Sequence, residues 1–290
     1  MNTPDPASNT PENGPKEEKS FFSIIVHSFF IVPFLIAVFG VLLFVSVRIL
    51  TIEEHSVYDY LADVKTGGLT KRWQAAFELS KILANKDMAP GDDRFEGEMI
   101  SAFKHAKHDD DRVRQYLALA MARTGNPHFV EPILNALDSE KEENLYALIY
   151  ALGVLRDQRA ADKLYPYLKH PNARVRLVSA MALGNLGDRD AAGPLKEVLH
   201  DPEPNVQWDA AIALAKLGDL SGRAVLLQLL SRGYLDSFEQ IDQHEKTHIL
   251  LVTIEAASGL NDPEIREAVK QLSENEQSMQ IRRAALEALD

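Results

Sequence analysis

The sequence predicts an all-α protein, a solenoid of short paired helices carried behind one membrane-spanning helix. Three observations predict it. The run from Phe21 to Val47 contains no Asp, Glu, Lys or Arg. The region beyond it repeats itself at a shift of 31 residues, as when Val175 is set on Val206. No segment sustains the alternation of apolar and polar side chains that marks a half-buried strand.

In chain order, Met1 to Ser20 is rich in Pro, Asn, Ser, Glu and Lys and has no aromatic residue, so it cannot bury enough apolar surface to offset its ordering entropy; residues 1–20 read as a disordered tail. Residues 21–47 exceed the roughly 20 apolar residues that cross a bilayer core, and exceed the apolar region of a cleavable signal peptide. They read as a retained transmembrane helix, with Ser23 and His27 on one face and Pro33 within the span. The flanking cations nearly cancel: Lys16 and Lys19 precede the run, and Arg48, Lys65, Lys71 and Arg72 come after it. A short tail ahead of a single span commonly stays in the cytoplasm, which places the repeats outside it, on a single-pass protein of the cell membrane. Residues 48–69 carry Val57, Leu61 and Val64 at helical spacing and end at Gly67-Gly68, an amphipathic connector beside the membrane.

Residues 70–290 form the solenoid. Ala120, Ala151, Ala182 and Ala213 share one register position; Met121, Leu152, Leu183 and Leu214 share the next; Ile133, Leu164, Leu195 and Leu226 form a third column, and Leu137, Leu168, Leu199 and Leu230 a fourth. Each unit has a first helix that stops at Leu-Gly-Asp, as at Leu186-Gly187-Asp188 and Leu217-Gly218-Asp219, where Gly suits a left-handed C-terminal position and Asp caps the next helix. Insertions interrupt the period around Asn85 to Gly97 and between Ser231 and Thr247, and the last copy is a lone first helix from Gln280.

The stretch Asn172 to Asp201, with its Val-Arg, Ala-x-Ala-Leu-Gly and Leu-Gly-Asp signatures, resembles the HEAT repeat family, especially its short bacterial form related to phycobilin-lyase repeats. The resemblance implies a right-handed solenoid with the second helices lining its concave face, and a role as a binding scaffold for proteins. A minority of the family act as lyases or isomerases on bilins. On this reading the partner surface lies on second helices, at the columns left out of the core: Asn135, Tyr165, Lys196, Glu197 and Gln228, whose variation from unit to unit suits a specific partner. The partners expected are proteins of a membrane complex, with the bilayer itself held through residues 21–47.

Composition narrows the chemistry. A net charge of -12 over 290 residues argues against wholesale phosphate contact and hence against nucleic acid as partner. The absence of cysteine removes disulfides, thiolate metal sites and a cysteine nucleophile on this chain. His244-Glu245-Lys246-Thr247-His248 fits the H-E-x-x-H pattern, which on a helix brings two imidazoles to one face with Glu as general base. The stricter pattern wants uncharged residues where Asp242 and Lys246 stand, and register puts the motif at a helix entrance. Glu267 or Glu274 stands at a zincin-like separation for a third ligand. His105, His108 and Asp109 to Asp111 read as helix-end charges that suit the helix dipole. The expectation is a scaffold with no cofactor, no metal and no catalysis, the alternative being an enzyme, either bilin-lyase-like or a metal hydrolase using His244, Glu245 and His248.

Overall fold

The computed structural model describes residues 27–51 and 55–289, without the side chains of 27, 28 and 48–51. The expected tail 1–20, the start of the apolar run at 21–26 and Ser23 lie outside the described residues. The chain divides into two compact units, Met1–Glu54 and His55–Asp290.

In the first unit a π-helical turn His27–Ile31 leads into helix α1, Val32–Thr51. Pro33 has no N–H to return to the carbonyl one turn earlier, and the widened turn lies just ahead of it. The segment Phe29–Val47 is 19 residues long with mean hydropathy 2.9, long and apolar enough to cross a membrane. Its large side chains, among them Phe30, Phe34, Ile36 and Phe39, are exposed.

The second unit opens with α2, Val57–Thr66, started by a capping box in which Ser56 Oγ accepts from the Asp59 N–H and Asp59 accepts from the Ser56 N–H at 2.8 Å. Val57, Leu61 and Val64 face the core alongside α3, Leu69–Ile82, and α4, Asp93–His105. The part of the expected connector 48–69 from His55 onward therefore belongs to the same compact unit as the repeats.

Four helical hairpins come next, in strict register. Their first helices are α5 (Asp111–Thr124), α7 (Glu142–Leu155), α9 (Ala173–Leu186) and α11 (Pro204–Lys216), which start 31 residues apart. Their second helices are α6 (Val130–Leu137), α8 (Ala161–Leu164), α10 (Ala192–Val198) and α12 (Arg223–Leu229). α8 is short and passes into a 3-10 segment, Tyr165–Lys169, where Pro166 removes an α-helical donor. The insertion after α12 contains α13, Arg232–Asp236; then come α14 (Gln243–Ser258), α15 (Pro263–Asn275) and α16 (Met279–Glu287). Among the described residues there is no strand.

The columns read from the sequence are the core: Ala120, Ala151, Ala182 and Ala213, and Ile133, Leu164, Leu195 and Leu226, are all essentially inaccessible. Each first helix ends on a left-handed residue, Gly125, Arg156, Gly187 and Gly218, with φ of 69°, 54°, 70° and 77°. The next residue then caps the following turn: Asp157 accepts from the Arg159 N–H at 3.0 Å, and Asp219 from the Ser221 N–H at 2.8 Å. Arg156 occupies by force the position that its equivalents fill with glycine.

Small residues let first helices stack backbone against backbone. A Cβ on Gly184 would lie 2.6 Å from Ala213 Cα, and one on Gly153 would lie 2.8 Å from Ala182 Cα. The arginines after Val113 and Val175 tie their first helices to the turn beyond the hairpin. Arg114 donates twice to Glu140 at 2.9 and 2.7 Å, and Arg176 twice to Asp201 at 2.7 and 2.9 Å.

Candidate functional site

Because the Ala and Gly columns fix the spacing of the first helices, their larger uncovered residues form stripes that meet from one repeat to the next. Two grooves open on this layer. The larger, about 620 Å³, takes Leu177, Met181 and Asn185 from α9, Trp208, Asp209, Ile212 and Lys216 from α11, and Glu245, His248, Ile249 and Val252 from α14, with Phe238 and Ile241 from the insertion. The smaller, about 430 Å³, is lined by Tyr116, Leu119 and Arg123 of α5, Tyr146 and Tyr150 of α7, and Arg174, Leu177 and Met181 of α9. Leu177 and Met181 line both, so the face is continuous from α5 to α14.

Ring contacts and a hydrogen bond hold the walls of the larger groove together. Trp208 meets Phe238 edge to face at 4.9 Å, and its indole N–H donates to Tyr234 Oη at 3.2 Å. Asp209 is half-buried in this apolar setting, and no hydrogen-bond donor of the described residues reaches its carboxylate. Desolvation pushes its pKa up to about 7, with the positive charge of Lys216 pulling the other way. The Lys216 ammonium donates at 2.7 Å to Asn185 Oδ1, and burial lowers its own pKa. In the smaller groove the Arg174 guanidinium lies over the Tyr146 ring at 3.7 Å.

The residues expected to bind partners lie elsewhere than these grooves, which open mainly on α5, α7, α9, α11 and α14. The second helices α6, α8, α10 and α12 run four to eight residues. Tyr165 Oη donates to Asp188 at 2.7 Å, Lys196 pairs with Asp219 at 2.8 Å, Glu197 pairs with Lys169 at 2.9 Å, and Asn135 donates to Glu131 at 3.0 Å. Gln228 is exposed. None of the five lines either groove.

His244-Glu245-Lys246-Thr247-His248 lies wholly inside α14, which begins at Gln243 with Asp242 as its cap, so the expectation of a helix entrance is off by one turn. His244 and His248 are both exposed; Glu245 and His248 reach the larger groove, and Lys246 is buried. Among the described residues no three His, Asp or Glu side chains come together as metal ligands would. His105 Nδ1 lies 2.7 Å from the Ser101 carbonyl, Asp109 pairs with Arg72, and Asp110 caps α5, all structural roles.

The signal for Asp209 is present in the sequence. Its register column holds Tyr116, Ala147 and Val178, so it is an acid where the other units have uncharged residues.

The chain matches HEAT repeats over residues 101–176 and 161–241. Residues 101–241 are thus similar to HEAT repeats. These repeats are similar to the bilin biosynthesis protein PecE of Nostoc sp. PCC 7120, at 30% identity over 125 residues, which cover 43% of this chain and 46% of PecE. PecE of Mastigocladus laminosus is 29% identical over 125 residues, covering 43% of each. The chain thus spans under half the length of the curated relatives it matches. Among solved structures, the complex of CpcE and CpcF of phycocyanin lyase from Nostoc sp. PCC 7120 aligns with a TM-score of 0.57 at 20% identity, covering 83% of this chain and 96% of that one. That likeness shows a HEAT-like solenoid. The expectation that the chain is not an enzyme is corrected here, because both curated relatives are bilin biosynthesis proteins.

Proposed function

We propose that this chain is a HEAT-repeat binding module held at the cell membrane by residues 21–47, with its repeats on the extracytoplasmic side, and that it engages a protein partner along the first-helix face as a subunit or assembly factor of a larger complex. The observation that carries the reading is the continuity of the two grooves through Leu177 and Met181, which leaves aromatic and aliphatic side chains uncovered across α5, α7, α9, α11 and α14. Rings such as Tyr150, 40% exposed, provide large contact area at low entropic cost. The test is affinity purification of the detergent-solubilised full chain as wild type and as Tyr150→Ala combined with Ile241→Ala, with circular dichroism to verify folding. The variant is expected to lose the partner that the wild type retains. Equal recovery of that partner by the folded variant would remove the first-helix face from consideration.

A second reading is favoured by the likeness to PecE: the same face holds an open-chain tetrapyrrole and the chain takes part in lyase chemistry. With no cysteine on this chain, a thioether to the pigment would have to form on an acceptor protein. Biliverdin added to the purified protein tests the reading. A shifted absorption band abolished by Tyr150→Ala and Ile241→Ala supports it, and an unchanged spectrum counts against it.

A further inference from the structure

Asp209 is the group in the larger groove that the fold itself does not explain. It is half-buried on α11 between Trp208 and Ile212, yet no donor among the described residues reaches it, whereas Asp201, paired with Arg176, and Asp219, capping a turn, are both hydrogen-bonded. Its nearest cation, Lys216, stands two turns along the same helix and gives its hydrogen bond to Asn185. A carboxylate desolvated without a partner is costly to keep, and the cost falls when a ligand brings the donor.

The surroundings say what kind of donor. Glu203 and Glu245 line the same groove, so three carboxylates face it against the ammonium of Lys216 and the imidazole of His248. The walls beside Asp209 are apolar and aromatic: Trp208, Phe238 and Ile241. An apolar sleeve ending in an unpaired acid suits a long aliphatic stem with a cationic head. We infer that the larger groove receives an arginine or lysine side chain of a bound protein segment, its stem against Trp208 and Phe238 and its charge on Asp209. The inference rests on the first-helix face being the binding face. It adds the chemistry of the anchor: the partner is basic at this contact.

The experiment uses full-length protein in detergent and two pools of fluorescein-labelled heptapeptides, apolar at random positions around a central arginine in one pool and a central citrulline in the other. Citrulline keeps the shape and removes the charge. Fluorescence anisotropy should show the arginine pool binding wild type about tenfold more tightly than the citrulline pool. Asp209→Asn should bring the two pools together, and Asp190→Asn, an exposed acid outside the groove, should leave the difference intact. Equal binding of both pools to wild type, an arginine preference that survives Asp209→Asn in the folded variant, or no binding of the arginine pool up to about 1 mM each overturns the inference. If a protein partner is captured through Tyr150 and Ile241 but held equally by Asp209→Asn, the face binds and the cationic anchor is wrong, so the two failures can be told apart.

Discussion

Asp209 couples the groove to pH. Its carboxyl is raised from 3.8 to about 7 by desolvation, so between those values the folded chain holds a proton that the unfolded chain has released. Stability therefore falls as pH rises through that window, and the full penalty is present above it. Asp209→Asn should flatten the dependence: unfolding by urea should show the variant gaining roughly 1 to 3 kcal/mol over wild type at pH 8, a gain that shrinks as pH falls and is close to nothing only below about pH 4. Arg156 carries a different strain. Its φ of 54° is the conformation that Gly125, Gly187 and Gly218 adopt at the equivalent turns. Its side chain also lines a pocket with Lys216, whose charge it opposes. Arg156→Gly should therefore stabilise the fold by about 1 kcal/mol, seen as a raised midpoint at unchanged denaturant slope.

Between helices, the first-helix layer depends on close approach and the second on aliphatic filling. Gly184→Ala puts a methyl group 2.6 Å from Ala213 Cα, where backbone rather than a flexible side chain must yield, so α9 and α11 must separate. The expected loss is about 1 to 3 kcal/mol by chemical denaturation, with distortion of the groove that those two helices share. Leu195→Ala on α10 empties a fully buried site and should cost about 2 to 5 kcal/mol. A loss below half a kcal/mol at Leu195 is incompatible with the observed packing.

For the molecule as a whole, the division at Glu54 and His55 says where the chain can be cut. Removing residues 1–54 should move the protein from the membrane pellet to the supernatant as a folded helical domain, as fractionation and circular dichroism would show. Cutting instead at Thr70 removes α2, whose Val57, Leu61 and Val64 lie in the core, and should leave an aggregating fragment. If both fragments fractionate alike, α2 contributes nothing to the solenoid end.

The repeat, its period, the core columns and the left-handed turns were all readable along the chain, because each depends on local spacing that recurs with every unit: a core leucine or a C-terminal glycine is specified by its neighbours within a hairpin. The apolar run was readable for the same reason, as length and composition alone decide whether a helix can span a bilayer. The place of α2 and the face that carries the grooves were not, since both depend on how neighbouring helices stack. Tyr165 and Lys196 looked free in sequence because their partners, Asp188 and Asp219, lie 23 residues further on in each case, in the next repeat. Asp209 was visible as an odd acid in an uncharged column, but its isolation became meaningful only when α9, α11 and α14 closed around it. Desolvation is a property of the assembled walls, and no single stretch of sequence contains them.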